Sequence, residues 1–167
     1  MIIYHPRNDI YHCMFRFMTI AKIQDLESFE FARLRIYDFL LLFPHFIKDV
    51  SFPRAKGVST LKKQAVSLSH TYEQLPDRKR LFSEMGDFHI QALQILGAKG
   101  IFKEEGGLVT VGESFQLASV EELFESNQYI DNEFYKNLLN TLNQVPLSGD
   151  NGLKKRTGLM EYRYDAV

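Results

Sequence analysis

The chain contains no tryptophan and a single cysteine, and only five of its 167 residues are proline. One cysteine, Cys13, excludes an internal disulfide, so nothing in the composition calls for an oxidising compartment. Catalytic signatures are missing as well. The sequence has no glycine-rich phosphate loop, dinucleotide fingerprint, HExxH, GxSxG or EF-hand pattern. Each of those motifs places backbone amides, a pair of metal ligands or an exposed nucleophile, and without them the expectation is a protein that is not an enzyme and carries no cofactor. No run is apolar for the roughly 20 residues that a membrane helix needs. Met1 to Tyr4 is followed at once by His5-Pro6-Arg7, too short for the apolar part of a signal peptide, so a cytoplasmic location is expected.

What is present is apolar and aromatic: 45% hydrophobic residues and 13% aromatic ones, enough for one globular domain without metal or disulfide staples. The densest stretch is Phe29 to Ile47. Its charges, Glu30, Arg33, Arg35 and Asp38, fall in its first half, and Phe39, Leu40, Leu41, Leu42 and Phe43 then surround a helix axis with large apolar groups. A helix apolar on every side must be enclosed, by its own chain or by a partner. These five residues are therefore either the central core or a partner interface. Ser28 is the expected cap, and Pro44 the expected stop.

Around this helix, spacing predicts a short strand at Ile2 to Tyr4 and a helix from Ile10 to about Lys22, capped by Asp9. The core side of that helix is expected at Tyr11, Met14, Phe15, Met18 and Ile20. Further helices are expected over Ser59 to Tyr72 and over Arg78 to about Gly97, the latter capped by Asp77. Two β-rich runs, Ile101 to Lys103 and Leu108 to Val111, flank Glu104-Glu105-Gly106-Gly107 and read as a hairpin. Ser119 to Glu122 has the form of a capping box, and a last helix runs from Asp131 to about Asn143. The fold class expected is α+β, mostly helical and winged-helix-like, with helices followed by a β-hairpin wing and extra N- and C-terminal helices. The domain is placed at residues 1–152, followed by a polar and aromatic tail, 153–167, whose Tyr162 and Tyr164 are further candidates for a partner interface.

Net charge is −1, but it is unevenly spread. Residues 48–103 carry ten basic and five acidic groups, and residues 104–151 carry Lys136 against nine acids. Lys62, Lys63, Arg78, Lys79 and Arg80 lie in the first turns of two successive helices, and Lys99 and Lys103 flank the expected wing. Such clusters can hold phosphates through charge rather than base reading, can meet an acidic protein, or can simply be solvated. Glu104-Glu105 at the wing tip opposes a phosphate backbone. The two acidic pairs, Glu104-Glu105 and Glu121-Glu122, read as solvated surface. His5, His12 and Cys13 come nearest to a metal or nucleophile site, but neighbours on a helix point about 100° apart, so His12 and Cys13 cannot easily share an ion. His45 and His89 read as structural.

Two sets of residues carry a family resemblance. Ile3-Tyr4-His5-Pro6 with Asp9, Tyr11-His12-Cys13 and Phe15-Arg16 form one; Leu34-Arg35-Ile36 with Asp38-Phe39 and Leu41-Leu42-Phe43-Pro44 form the other. Together they resemble the small middle component of bacterial ABC-three-component systems, the type found in Lamassu anti-phage defence. The resemblance is best over residues 1–50 and weakens toward residue 112. It implies a subunit without catalysis of its own, an adaptor between an SMC-like coiled-coil ATPase and a nuclease or other toxic effector. The basic block separately predicts that any DNA contact is weak and blind to sequence. No functional residue is carried over by it. The rival expectation is a free-standing winged-helix DNA-binding regulator using Lys62, Lys63 and Arg78 to Arg80; a small enzyme around His5, His12 and Cys13 is a third.

Overall fold

Residues 5–68 and 75–160 are described by the computed structural model. The expected strand at Ile2 to Tyr4, Tyr72, and the tail residues Tyr162 and Tyr164 lie outside them.

The first helix, α1, runs from Ile10 to Gln24, and Asp9 caps it by accepting the His12 amide at 3.0 Å. It ends at Asp25 in a left-handed conformation, φ 50°, which turns the chain into a strand. That strand, β1 (Ser28–Glu30), replaces the expected start of the central helix. The reason is tertiary: Phe29 lies opposite Val109 and packs edge-on against Phe102 at 5.9 Å. Helix α2 then spans Phe31–Leu42 and stops before Pro44, whose ring begins a 3-10 turn, Pro44–Asp49. Helix α3 (Val58–Ser67) and the long helix α4 (Arg78–Ala98) follow, and Asp77 caps α4 by accepting the Arg80 amide.

Strands β2 (Phe102–Glu105) and β3 (Leu108–Val111) form the hairpin. The loop is two residues, Gly106-Gly107, both with positive φ (59° and 84°), shorter than the four-residue turn expected. Two consecutive left-handed residues suit a tight hairpin and are accessible to glycine at little cost. Strand β1 joins on the other side of β3, giving a three-stranded antiparallel sheet in the order β1-β3-β2. The fold is thus α+β and mostly helical, with one small sheet.

Short helix α5 (Ala118–Glu121) starts after Leu117, so Ser119 sits inside it and makes no capping bond. The expected capping box is not formed; Glu121 instead holds Lys22 of α1 at 3.0 Å. Helix α6 (Glu133–Asn143) has the expected stripe, with Phe134, Leu138, Leu139 and Leu142 all buried. A last helix, α7 (Leu153–Thr157), lies in the stretch read as tail. Leu153, Thr157 and Leu159 are buried, and Arg156 donates to the Ser51 carbonyl, so packing continues past residue 152.

Helix α1 packs against α2, α4 and α6. Both α1 and α2 are buried almost all round: Leu34, Ile36, Tyr37, Asp38, Phe39, Leu40 and Leu41 are buried on α2, and Cys13 together with every residue from Phe17 to Ile20 is buried on α1. Fully burying one large apolar side chain contributes about 1.5–3 kcal/mol, so this pair of helices supplies much of the driving force for folding. Two details differ from the periodicity. Tyr11 is 78% exposed rather than in the core, and Phe15 is only partly buried.

Candidate functional site

The groups best equipped for chemistry meet inside the protein, where α1, α2 and α4 come together. Asp38 projects from the most apolar part of α2 and is fully buried. Arg16 of α1 grips it with two bonds, Nε to Oδ1 at 2.6 Å and Nη2 to Oδ2 at 3.0 Å. His89 of α4 meets Asp38 Oδ2 through Nε2 at 3.0 Å. On the far side of the imidazole, Arg35 Nε–H donates to His89 Nδ1 at 3.3 Å. That bond assigns the ring proton to Nε2, so a neutral His89 donates to Asp38. Phe17 stacks on the ring with centroids 5.6 Å apart.

The electrostatics follow from this geometry. Burial favours the neutral acid at Asp38, yet the charge of Arg16 and the bonds from His89 and Arg16 outweigh it and hold the carboxyl below its ordinary range. Burial also works against the Arg16 charge, but attraction to Asp38 overcomes it and raises that pKa. His89 is pushed down by burial, and its bond to Asp38 does not restore the loss. Burial, then the nearby Asp38 charge, push the Cys13 thiol up.

Cys13, Asp38 and His89 offer ligand atoms within 4.8 Å of one another, the one such group among the described residues. The donor set does not suit a metal. Both Asp38 oxygens are taken by Arg16, a cation already occupies the space, and the Cys13 environment opposes the thiolate that zinc requires. The arrangement is a satisfied ion-pair network, fixing three helices to one another.

Sequence reasoning missed this network, although signals were present. Asp38 is a charge inside a run that is apolar on every side. His89 sits on the stripe Met85, His89, Ala92, Leu96, in place of Phe88, which is only partly buried. Of the residues it did single out, His12 is exposed on α1 and Cys13 is buried, so they face apart as expected. His5 accepts the Arg7 amide and stacks on Phe43. His45 lies against Phe46 at 4.1 Å.

The apolar run of α2 is enclosed by its own chain. Phe39 packs on Phe46 and Phe82, and Phe39, Leu40, Leu41 and Phe43 are all 3% exposed or less. These four are buried in the core of the chain. Leu42 alone reaches the outside, where it lines a pocket with Pro6, Tyr11, His12, Phe15, Arg16, Gln128 and Tyr129.

The seven basic residues separate into two groups. Lys62 donates to the Lys48 carbonyl, and Arg78 donates to the Thr157 carbonyl and approaches Asp49 at 3.8 Å, so both border the 3-10 turn after α2. Lys63 and Lys79 are exposed near them in the chain, and Arg80 pairs with Glu84 on the surface. Lys99 and Lys103 are exposed at the other end of α4. At 1.5 Å per residue that helix separates the two groups by about 30 Å. Beyond the hairpin tip, Glu104 accepts the Gly107 amide and closes the turn.

The sequence matches, over residues 2–165, the family described as ABC-three component (ABC-3C) system Middle Component 5. The chain belongs to that family. No curated protein and no solved structure matches it. As an ABC-3C middle component it is one part of a multi-component system, which agrees with the resemblance carried by its first 50 residues. No described helix is long and apolar enough to cross a membrane.

Proposed function

We propose that this middle component is a non-catalytic, cytoplasmic adaptor that joins an SMC-like coiled-coil ATPase to a nuclease or other toxic effector, in an anti-phage defence complex of the Lamassu type. The observation that carries the reading is the family match over nearly the whole chain. The site geometry supports it. Cys13, Asp38 and His89 are all buried, and the Asp38 carboxylate is bonded by both the Arg16 guanidinium and the His89 imidazole. The element order also favours a winged-helix-like frame: α1, β1, α2, then α4 leading into the β2–β3 hairpin, with β1 beside β3. Winged helices serve as joints between subunits as well as DNA readers. Here the acidic hairpin tip and the division of the basic residues favour the former, with DNA contact weak and made only to phosphates.

The test is co-expression with the other two components of the system. The adaptor reading expects one complex containing all three, and an ATPase and effector that fail to join when this chain is left out. Purified alone, the chain is expected neither to hydrolyse ATP nor to cut DNA. Assembly of the other two without it, or turnover by the isolated chain, contradicts the reading.

A further inference from the structure

Arg35 is the one member of the buried network that reaches the surface, and among the described residues it has no counter-charge. Its guanidinium lies 4.8 Å from the centre of the Phe82 ring and 5.9 Å from that of Phe31. Nε is used on His89, whereas neither Nη nitrogen has a hydrogen-bond partner, and no carboxylate pairs with the group, among the described residues. Burial lowers its pKa with nothing to offset it. On α4, Gly86 faces the guanidinium, and a Cβ there would stand 3.4 Å from Arg35 Nη2, in van der Waals contact with it. One turn further along α4, Ile90 is 47% exposed. A half-buried cation between two aromatic rings, locked from behind by His89 and bordered by an exposed apolar group, has the form of an interface anchor.

We propose that Arg35 receives a carboxylate, an aspartate or glutamate flanked by apolar groups, on another protein component of the system. The proposal rests on the adaptor reading and names where one partner engages. A protein carboxylate suits the site better than a nucleic-acid phosphate. Acidic residues adjoin these positions in the chain, Glu30 beside Phe31 and Asp87 beside Gly86, and the hairpin, whose Gly107 carbonyl accepts the Phe31 amide, carries Glu104-Glu105 at its tip. One carboxylate can sit among them with its charge met by Arg35, whereas a run of phosphates would be repelled. Two free Nη groups also match the paired oxygens of a carboxylate.

The test compares wild type with Arg35→Met, which keeps an apolar stem between the rings, and with Arg35→Glu. Each is co-expressed with the other two components, and each isolated chain is melted. The expected result is an unchanged or raised melting temperature for Arg35→Met, with affinity for one component weakened by about 30-fold or more, and no detectable assembly for Arg35→Glu. Replacing the matching partner carboxylate by arginine is expected to restore binding to Arg35→Glu. If wild type and Arg35→Met assemble equally well, this proposal fails while the adaptor reading stands. Should Arg35→Met lose duplex-DNA binding but keep protein assembly, the anchor takes phosphate and the proposal is overturned. A wild-type chain that assembles with neither component overturns both readings. If Arg35→Met unfolds the isolated chain, the guanidinium is a core element and not an anchor.

Discussion

Arg16 and Arg80 each hold a carboxylate at hydrogen-bond distance, but the two pairs stand in opposite settings. Arg16 and Asp38 are 2% and 0% exposed, with Nε to Oδ1 at 2.6 Å. Arg80 and Glu84 are 72% and 40% exposed, one helical turn apart on α4. In water the second pair exchanges one set of good interactions for another and contributes little. Inside the protein, each member of the first pair has lost its solvent and depends on the other. The lesson is that the Arg16 pair matters mainly through what its loss would leave behind. It contributes little as net attraction, since well-packed apolar groups of similar volume can do as well.

The largest expected effect comes from breaking the buried pair on one side only. Asp38→Ala leaves the Arg16 charge unpaired, and a loss of about 3–5 kcal/mol is expected in urea unfolding. Arg16→Met strands Asp38 and is expected to cost a similar amount. Replacing all three groups at once, as Arg16→Met with Asp38→Leu and His89→Phe, is expected to cost less than either single change. Equal or greater loss in the triple variant would mean that the network, and not merely its completeness, stabilises the fold.

Acid should expose the same asymmetry in two stages. The folded-state pKa of His89 lies below its ordinary 6.5. As pH falls below about 6.5 the unfolded chain therefore binds a proton that the folded chain refuses, and stability declines. Arg35 Nε–H facing Nδ1 reinforces that refusal. Asp38, held below its ordinary 3.8, contributes stability that is present above that value and is lost as pH falls through the folded pKa. His89→Phe should flatten the stability profile between about pH 5 and 7, leaving the slope of His45, whose pKa is also lowered by burial and then by Lys48. An unaltered slope would place the acid sensitivity elsewhere.

Smaller effects belong to the surface. Replacing Lys62, Lys63, Arg78 and Arg80 together by alanine is expected to flatten the salt dependence of any duplex-DNA binding, by up to about 0.9 per lost phosphate contact in the log–log slope. A slope unchanged by all four means that these residues face protein or solvent. Smallest of all, Arg80→Ala is expected to cost no more than about 0.5 kcal/mol. A larger loss would erase the contrast with Arg16.

Much of the fold was legible in the sequence because local signals and tertiary packing agreed. Asp9 and Asp77 cap their helices, Pro44 stops α2, and the Phe134 to Leu142 stripe of α6 is buried as its spacing requires. Phe29 was misread because its strand exists only through pairing with β3, some 80 residues on. Ser119 failed as a cap because the chain enters α5 at Leu117. The buried network escaped for a different reason. His89 reads as structural from the sequence, but nothing in the local spacing ties it to Asp38 on α2 or to Arg16 on α1. Nothing local distinguishes Arg35, whose lack of a counter-ion among the described residues is visible only after α2, α4 and the Phe31 and Phe82 rings are in place.

On the proposed reading, the interior network is architecture and the subunit works through its surface. The most direct measurement takes the double variant Arg16→Met, Asp38→Leu, which keeps His89 behind Arg35, confirms that it folds and joins the other components, and assays protection of cells carrying the whole system. The account predicts a folded, assembled variant that protects as the wild type does. A variant that folds and assembles normally but no longer protects would show that the buried charges take part in the function itself, and would contradict the account.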